Sequence, residues 1–153
     1  MMYYPKINGI YKRYQEGPDR GKFVIGEFAQ HEFELLLNVP WYWTYKWNGT
    51  SAGIHFHQDD APEYFGRTKN SSMTFPMIEA LENWETSSDF HGSGLTVYGE
   101  LVGPKIQGNP HQLEEVVFQP FDVAYQGRFW NKGRVYIELS DSGRPIIAPL
   151  RET

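Results

Sequence analysis

No cysteine occurs among the 153 residues. That excludes disulfides, thiolate zinc sites and a cysteine nucleophile, and it is compatible with a reducing cytoplasm. No apolar run approaches the ~20 residues that a membrane-spanning helix needs, so no membrane partner is expected. The opening "MMYYPKINGIYKRYQ" has no apolar core followed by a cleavage site, so a secretory signal is not expected either. An excess of positive charge is also missing. The 14 basic and 19 acidic residues leave a net charge of -5, so contact with nucleic acid would require a local patch. Internal repeats, low-complexity tracts and an interdomain linker are absent, and the length suits a single domain over residues 1–153.

What remains is rich in rings and turns. Hydrophobic residues make up 40% of the chain and aromatics 16%, which argues against disorder. Fifteen glycines and ten prolines spread along it imply many short elements joined by turns. The aromatic and basic stretch "YYPKINGIYKRY" (3–14) comes first. "EFAQHEFELLLN" (27–38) reads as a helix stopped before Pro40, with Phe28 and Leu35 on one face. Residues 41–57 read as two strands around a turn at Asn48-Gly49, a strong hairpin dipeptide. "EYFGRT" (63–68) reads as a strand. "TFPMIEALENWE" (74–85) reads as a helix with Thr74 as cap and Pro76 in its first turn. "LTVYGELVG" (95–103) and "EVVFQPFDVAYQG" (115–127) are β-rich, and "RVYIELSDSG" fits a helix ended by Gly143. The order lacks the regular βαβ rhythm of a doubly wound sheet. The fold class expected is α+β, with mostly antiparallel sheets and flanking helices.

Several short stretches carry chemistry-bearing residues. Lys46 stands among Trp41, Tyr42, Trp43, Tyr45 and Trp47, three residues before Gly49. Burial among rings disfavours the charged ammonium and lowers its pKa, which a nucleophilic lysine requires. A glycine lets backbone approach a ligand closely. The alternative is a strand lysine lying over tryptophans. In "GIHFHQDDAPE", His55 and His57 share a strand face and could join Asp59, Asp60 or Glu63 around a metal; the alternative is a polar strand face running into an acidic turn. Arg67 could fork onto a phosphate or carboxylate, or form a surface ion pair. Glu100, between Gly99 and Gly103, suits hydrogen bonding to ribose hydroxyls, and Lys105 follows in a turn. Phe121 could stack on a base, although a core phenylalanine is commoner.

In this order, these stretches resemble the nucleotidyltransferase domain of ATP-dependent RNA ligases, in particular the T4 RNA ligase 2-like and related phage ligases. "YKWNGTS" looks like the motif of the adenylated lysine, K-x-[DHN]-G-T. "GRT" looks like the arginine motif that follows. "VYGELVGPKIQ" is similar to F-G-E-x-x-G-x-x-I-Q over almost its whole length, and "FDV" looks like the adenine-stacking motif. The lead-in segments "YPKINGIYKR" and "IGEFAQHEFELL" and the closing "PIIAPL" are similar as well, so the likeness runs across nearly the whole chain. It implies a ligase-type nucleotidyltransferase (ATP-grasp-like) fold. It also implies use of ATP with Mg2+ or Mn2+, and RNA ends as substrates. By the same resemblance Lys46 would attack the α-phosphate, Arg67 would contact the nucleotide or the RNA end, Glu100 would bind the ribose, and Phe121 would stack on adenine. Gly49 would lie against the nucleotide, and Lys105, Lys12 and Arg13 are candidate RNA or phosphate contacts. A phage origin would place the protein in the cytoplasm of a bacterial host.

Two departures stand out. Tyr45 precedes the lysine where the family often has glutamate, and Asn48 follows where aspartate or histidine is common. An E-G-x-V-type strand and a K-x-K strand, which hold the metal and the α-phosphate in the family, have no counterpart in these residues. The expectation is a C-terminally shortened domain, completed by a second chain or acting without turnover on a nucleotide, an RNA end or a host protein.

Overall fold

The computed structural model describes residues 3–39, 43–141 and 149–150. Two compact units divide the chain: Met1–Tyr4 with Trp43–Thr153, and Pro5–Tyr42. In chain order the elements are β1 (Tyr11–Arg13), β2 (Phe23–Phe28), α1 (Glu32–Leu35), β3 (Trp43–Thr44), β4 (Thr50–His55), β5 (Glu63–Gly66), α2 (Phe75–Thr86), β6 (Leu95–Val102), β7 (Val117–Tyr125), β8 (Arg128–Phe129), α3 (Lys132–Asp141) and β9 (Pro149–Leu150). The fold is α+β with antiparallel sheets and few helices, as the sequence leads one to expect.

The smaller unit is an antiparallel ribbon of β1 and β2 followed by α1. Tyr11 stacks on Phe28 at 5.6 Å, and the Arg13 guanidinium lies 3.9 Å over the Phe23 ring. The helix expected over 27–38 is cut to a single turn. Glu27 and Phe28 belong to β2, because Phe28 pairs with Tyr11 across the ribbon. His31 caps α1 without a side-chain hydrogen bond, and Leu35, Leu36 and Leu37 stay exposed. Without a capping bond or a buried face, so short a helix gains little from propensity alone.

The larger unit is built on a five-stranded sheet in the order β5-β4-β6-β7-β8, antiparallel throughout. Alternation along the strands separates its two faces. One carries Ala52 and Ile54 of β4, Leu95, Val97 and Leu101 of β6, and Phe118 and Val123 of β7. Against it pack Ala80, Leu81 and Trp84 of α2 and Val135 and Leu139 of α3, at helical spacings that put them on one stripe. Pro76 lies in the first turn of α2, as expected. Asn131 caps α3, its Oδ1 accepting the Arg134 N–H at 2.9 Å. Gly143 lies outside the described residues.

The opposite face carries Ser51, Phe65, Tyr98, Glu100 and Asp122, placed by the register Ser51↔Glu100, Gly53↔Phe65, Gly53↔Tyr98 and Tyr98↔Asp122. The register shifts at Gly99, which pairs with Pro120 and leaves Phe121 as an extra residue on β7. Such a bulge re-aims the side chain it carries.

The hairpin expected around Asn48-Gly49 does not form. Trp43–Thr44 pairs with Pro149–Leu150, while β4 pairs with β5 and β6. Gly49 serves a close approach instead of a turn. A Cβ there would stand 2.1 Å from the Leu101 carbonyl oxygen and 2.9 Å from Glu100 Cγ, closer than atoms can come.

Candidate functional site

Glu100 lies in the C-terminal half of β6, with Ser51 opposite it on β4 and Gln119 on β7. Burial pushes its carboxyl above the ordinary glutamate range. Four groups pull the other way: the Lys46 ammonium, the Ser51 hydroxyl, the Gly49 N–H and the Arg67 guanidinium. The Ser51 hydroxyl donates to Glu100 Oε2 at 3.4 Å. The sheet thus brings Lys46, Gly49, Arg67 and Glu100 to one place, although 54 positions separate the first from the last (100 − 46). The cause is local. The tight seat of Gly49 on β6 puts the preceding lysine beside that strand, and the β4–β5 pairing carries Arg67 to the edge of the same face.

Lys46 itself is exposed. This corrects the expectation of a dry, ring-walled pocket. Tyr45 and Trp47 turn to each other, 4.9 Å between centroids, and to His111. Trp41 and Tyr42 lie outside the described residues. The alternative of a lysine over tryptophans is not realised either: among the described residues, the cations over rings are Arg13 on Phe23 and Arg134 on Trp130.

Phe121 packs in a different cluster on the same sheet, with Tyr3, Tyr4, Phe65, Tyr98 and Ala124. Its ring meets Tyr4 edge-on at 5.0 Å. The Tyr4 hydroxyl donates to Asp122 Oδ2 at 3.0 Å, and Lys132 Nζ donates to the same oxygen at 2.7 Å. Burial and the Asp122 charge push the Tyr4 hydroxyl well above its usual pKa. Buried Asp122 Oδ1 has no hydrogen-bond partner among the described residues.

The remaining candidates are dispersed. His55 bonds Thr96 Oγ1 at 2.8 Å, and His57 pairs with Glu63 at 3.6 Å. Burial first, then His57, hold the His55 imidazole below its ordinary pKa. Among the described residues, no group of three histidine, aspartate or glutamate side chains is arranged to hold a metal ion, and the acidic turn at Asp59 and Asp60 does not change that. Lys105 is exposed on the turn after β6 with φ 64°. Lys12 pairs with Glu27 at 3.3 Å, and Arg13 is engaged by Phe23 and the Gly21 carbonyl, all within the smaller unit.

Sequence reasoning overlooked His111, a lone histidine in the loop between β6 and β7. Its Nε2 lies 3.1 Å from the Asn48 amide nitrogen and its Nδ1 3.2 Å from the Tyr45 hydroxyl. A single histidine in a polar loop carries no spacing signal that would have singled it out.

No family model matches the chain, and no curated protein matches it. Solved structures do. An RNA ligase of Naegleria gruberi, in a mutant form with ATP and Mn, superimposes with TM-score 0.61 at 18% identity over 72% of this chain and 36% of that one. A second mutant of that ligase with ATP and Mn gives TM-score 0.59 at 21% identity, again over 72% and 36%. A third, with AMP and Mn, gives 0.58 at 22% over 73% and 36%. The chain therefore shares the fold of part of a nucleotide-bound RNA ligase and spans about a third of that protein's length. Among the described residues no helix is long and apolar enough to cross a membrane.

Proposed function

We propose that this chain is an ATP-dependent, RNA ligase-type adenylyltransferase that forms lysyl-AMP on Lys46 and delivers the AMP to RNA ends. The observation that carries the reading is the convergence of Lys46, Gly49, Arg67 and Glu100 on one face of a ligase-like sheet. In the first step the neutral Lys46 Nζ attacks the α-phosphorus. An N–P bond forms, the P–O bond to pyrophosphate breaks, and Nζ gives up a proton to solvent. The adenylate is then transferred to an RNA 5′-phosphate, and a 3′-hydroxyl displaces AMP. Glu100 accepts hydrogen bonds from the ribose, and Arg67 neutralises phosphate charge, the main demand of phosphoryl transfer. Phe121 supplies a ring for adenine once its contact with Tyr4 opens, and Lys105 is a candidate for the RNA strand.

The described residues do not fit a resident metal cage. The Mg2+ or Mn2+ implied by the resemblance accompanies the nucleotide's phosphates as part of the substrate. Strands of the E-G-x-V and K-x-K type are not among these 153 residues; a split-enzyme form of the proposal has them supplied by a second chain.

The exposure of Lys46 favours a second reading, a ligase-like domain that binds a nucleotide, an RNA end or a host protein without turnover. Intact mass after incubation with ATP and Mg2+ or Mn2+ separates the two. A gain of one AMP in the wild type but not in Lys46→Ala supports the enzyme. Reversible ATP binding with no gain in mass, at protein concentrations where the fold is intact, rejects the self-sufficient enzyme.

A further inference from the structure

The residues around Lys46 are held by one imidazole. An amide N–H can only donate, so the 3.1 Å contact from Asn48 requires a lone pair on His111 Nε2. The ring's proton then resides on Nδ1, which donates to the Tyr45 hydroxyl at 3.2 Å. Trp47 closes against the same ring edge-to-face, with centroids 4.7 Å apart. Tyr45 and Trp47 are the immediate neighbours of Lys46 and Asn48 lies two residues after it, so His111 braces the segment on both sides of the lysine.

The loop presenting His111 is itself built to hold still. Its backbone closes three successive turns: Ile106 N–H to Gly103 O at 3.1 Å, Asn109 N–H to Ile106 O at 2.8 Å, and Gln112 N–H to Asn109 O at 3.0 Å. The Asn109 side chain ties the loop to Leu113 twice, at 2.9 and 3.1 Å. Ile106 anchors it in the buried core, in the same cluster as Leu101 and Phe118. Gly103 starts it with φ 142°, where a Cβ would stand 2.5 Å from the Glu115 carbonyl oxygen.

From this geometry we infer that His111, as the neutral Nδ1-protonated tautomer, is a positioning residue for Lys46. It acts through the Asn48 amide and the Tyr45 hydroxyl and keeps the lysine beside Glu100. The inference rests on the adenylyltransferase reading for its catalytic consequence, but the contact itself is measurable without ATP. Two-dimensional NMR on the full chain reads the ¹⁵N shifts of the His111 ring and the exchange of the Asn48 amide. Intact mass follows AMP transfer in the wild type, His111→Ala and His111→Gln.

The expected result is an Nδ1-protonated ring and a protected Asn48 amide in the wild type. His111→Ala loses that protection and forms the adduct about tenfold to a hundredfold more slowly, as misplacement of a reacting group predicts. His111→Gln, whose carboxamide oxygen can accept from Asn48, regains the protection and most of the rate. A wild-type ring protonated on Nε2, or an Asn48 amide that exchanges equally fast in wild type and His111→Ala, overturns the inference. So do equal rates of AMP transfer in the wild type and His111→Ala. If the wild type forms no adduct, the self-sufficient adenylyltransferase fails separately and the NMR arm alone decides the contact. If His111→Ala does not fold, the wild-type ring and His111→Gln decide it.

Discussion

Lys46 and Glu100 face each other electrostatically but are held in opposite ways. Glu100 is the sixth of eight residues in a strand bonded on both sides, opposite Ser51 and Gln119, and is half-buried. Lys46 lies in a segment without regular structure, 45–48, exposed and held through its neighbours by His111. The carboxylate is thus fixed by the fold, whereas the lysine depends on a few contacts from a distant loop. A recognition group on a strand is positioned more rigidly than one on a connecting segment. On the proposed adenylyltransferase reading, an amine that changes partners between free, adenylated and product states suits the looser mount.

The sharpest way to break this comparison is Lys46→Ala. Transfer of AMP should fall to background, while stability stays within about 0.5 kcal/mol because the side chain is exposed. Urea unfolding beside the mass assay checks both halves, and loss of fold would show that the lysine is structural. Next comes Gly49→Ala. Its new Cβ meets backbone 2.1 Å away, so the β4–β6 seam must open. The expected cost is about 3 kcal/mol, read from the urea midpoint, and an unchanged midpoint would mean that the seam is not tight.

Glu100→Gln tests the buried carboxylate by pH. Between the ordinary glutamate range and the raised folded value, the folded chain binds more protons than the unfolded one, so Glu100 makes stability fall as pH rises through that window. The amide cannot ionise. The variant should match the wild type below the window and be the more stable of the two above it, provided its amide keeps the hydrogen bonds. Parallel curves over roughly pH 3 to 8 would reject a raised pKa. Nucleotide affinity should fall in the same variant. Ser51→Ala is the mildest change. Losing the 3.4 Å hydroxyl contact should cost about 0.5 kcal/mol and move the Glu100 carboxyl titration further up, as ¹³C NMR would detect.

Much of the framework was legible before the structure. The alternating apolar residues at 95–101 and 117–125 mark strands, and the stripe Ala80, Leu81 and Trp84 marks a helix, because local periodicity decides which face is buried. Lys46, Gly49, Arg67 and Glu100 were likewise recognisable as special by their residue types and motifs. Asn48-Gly49 was misleading. The dipeptide favours a hairpin locally, yet β4 finds a longer and better-buried partner in β6, and the glycine is used for that contact. The 27–38 segment misled for the same reason: Phe28 gains more by pairing and stacking in the ribbon than by extending a helix.

By itself, then, the sequence determined the α+β class, the main strands and helix α2, and the identity of the residues that converge at Glu100. These follow from residue type and short-range period. Only the tertiary structure decided that Lys46 is exposed, that Phe121 sits on a bulge against Tyr4, and that His111 braces the lysine from 65 positions away (111 − 46). Each of those depends on contacts between distant stretches, and no local pattern records which loop will reach which strand.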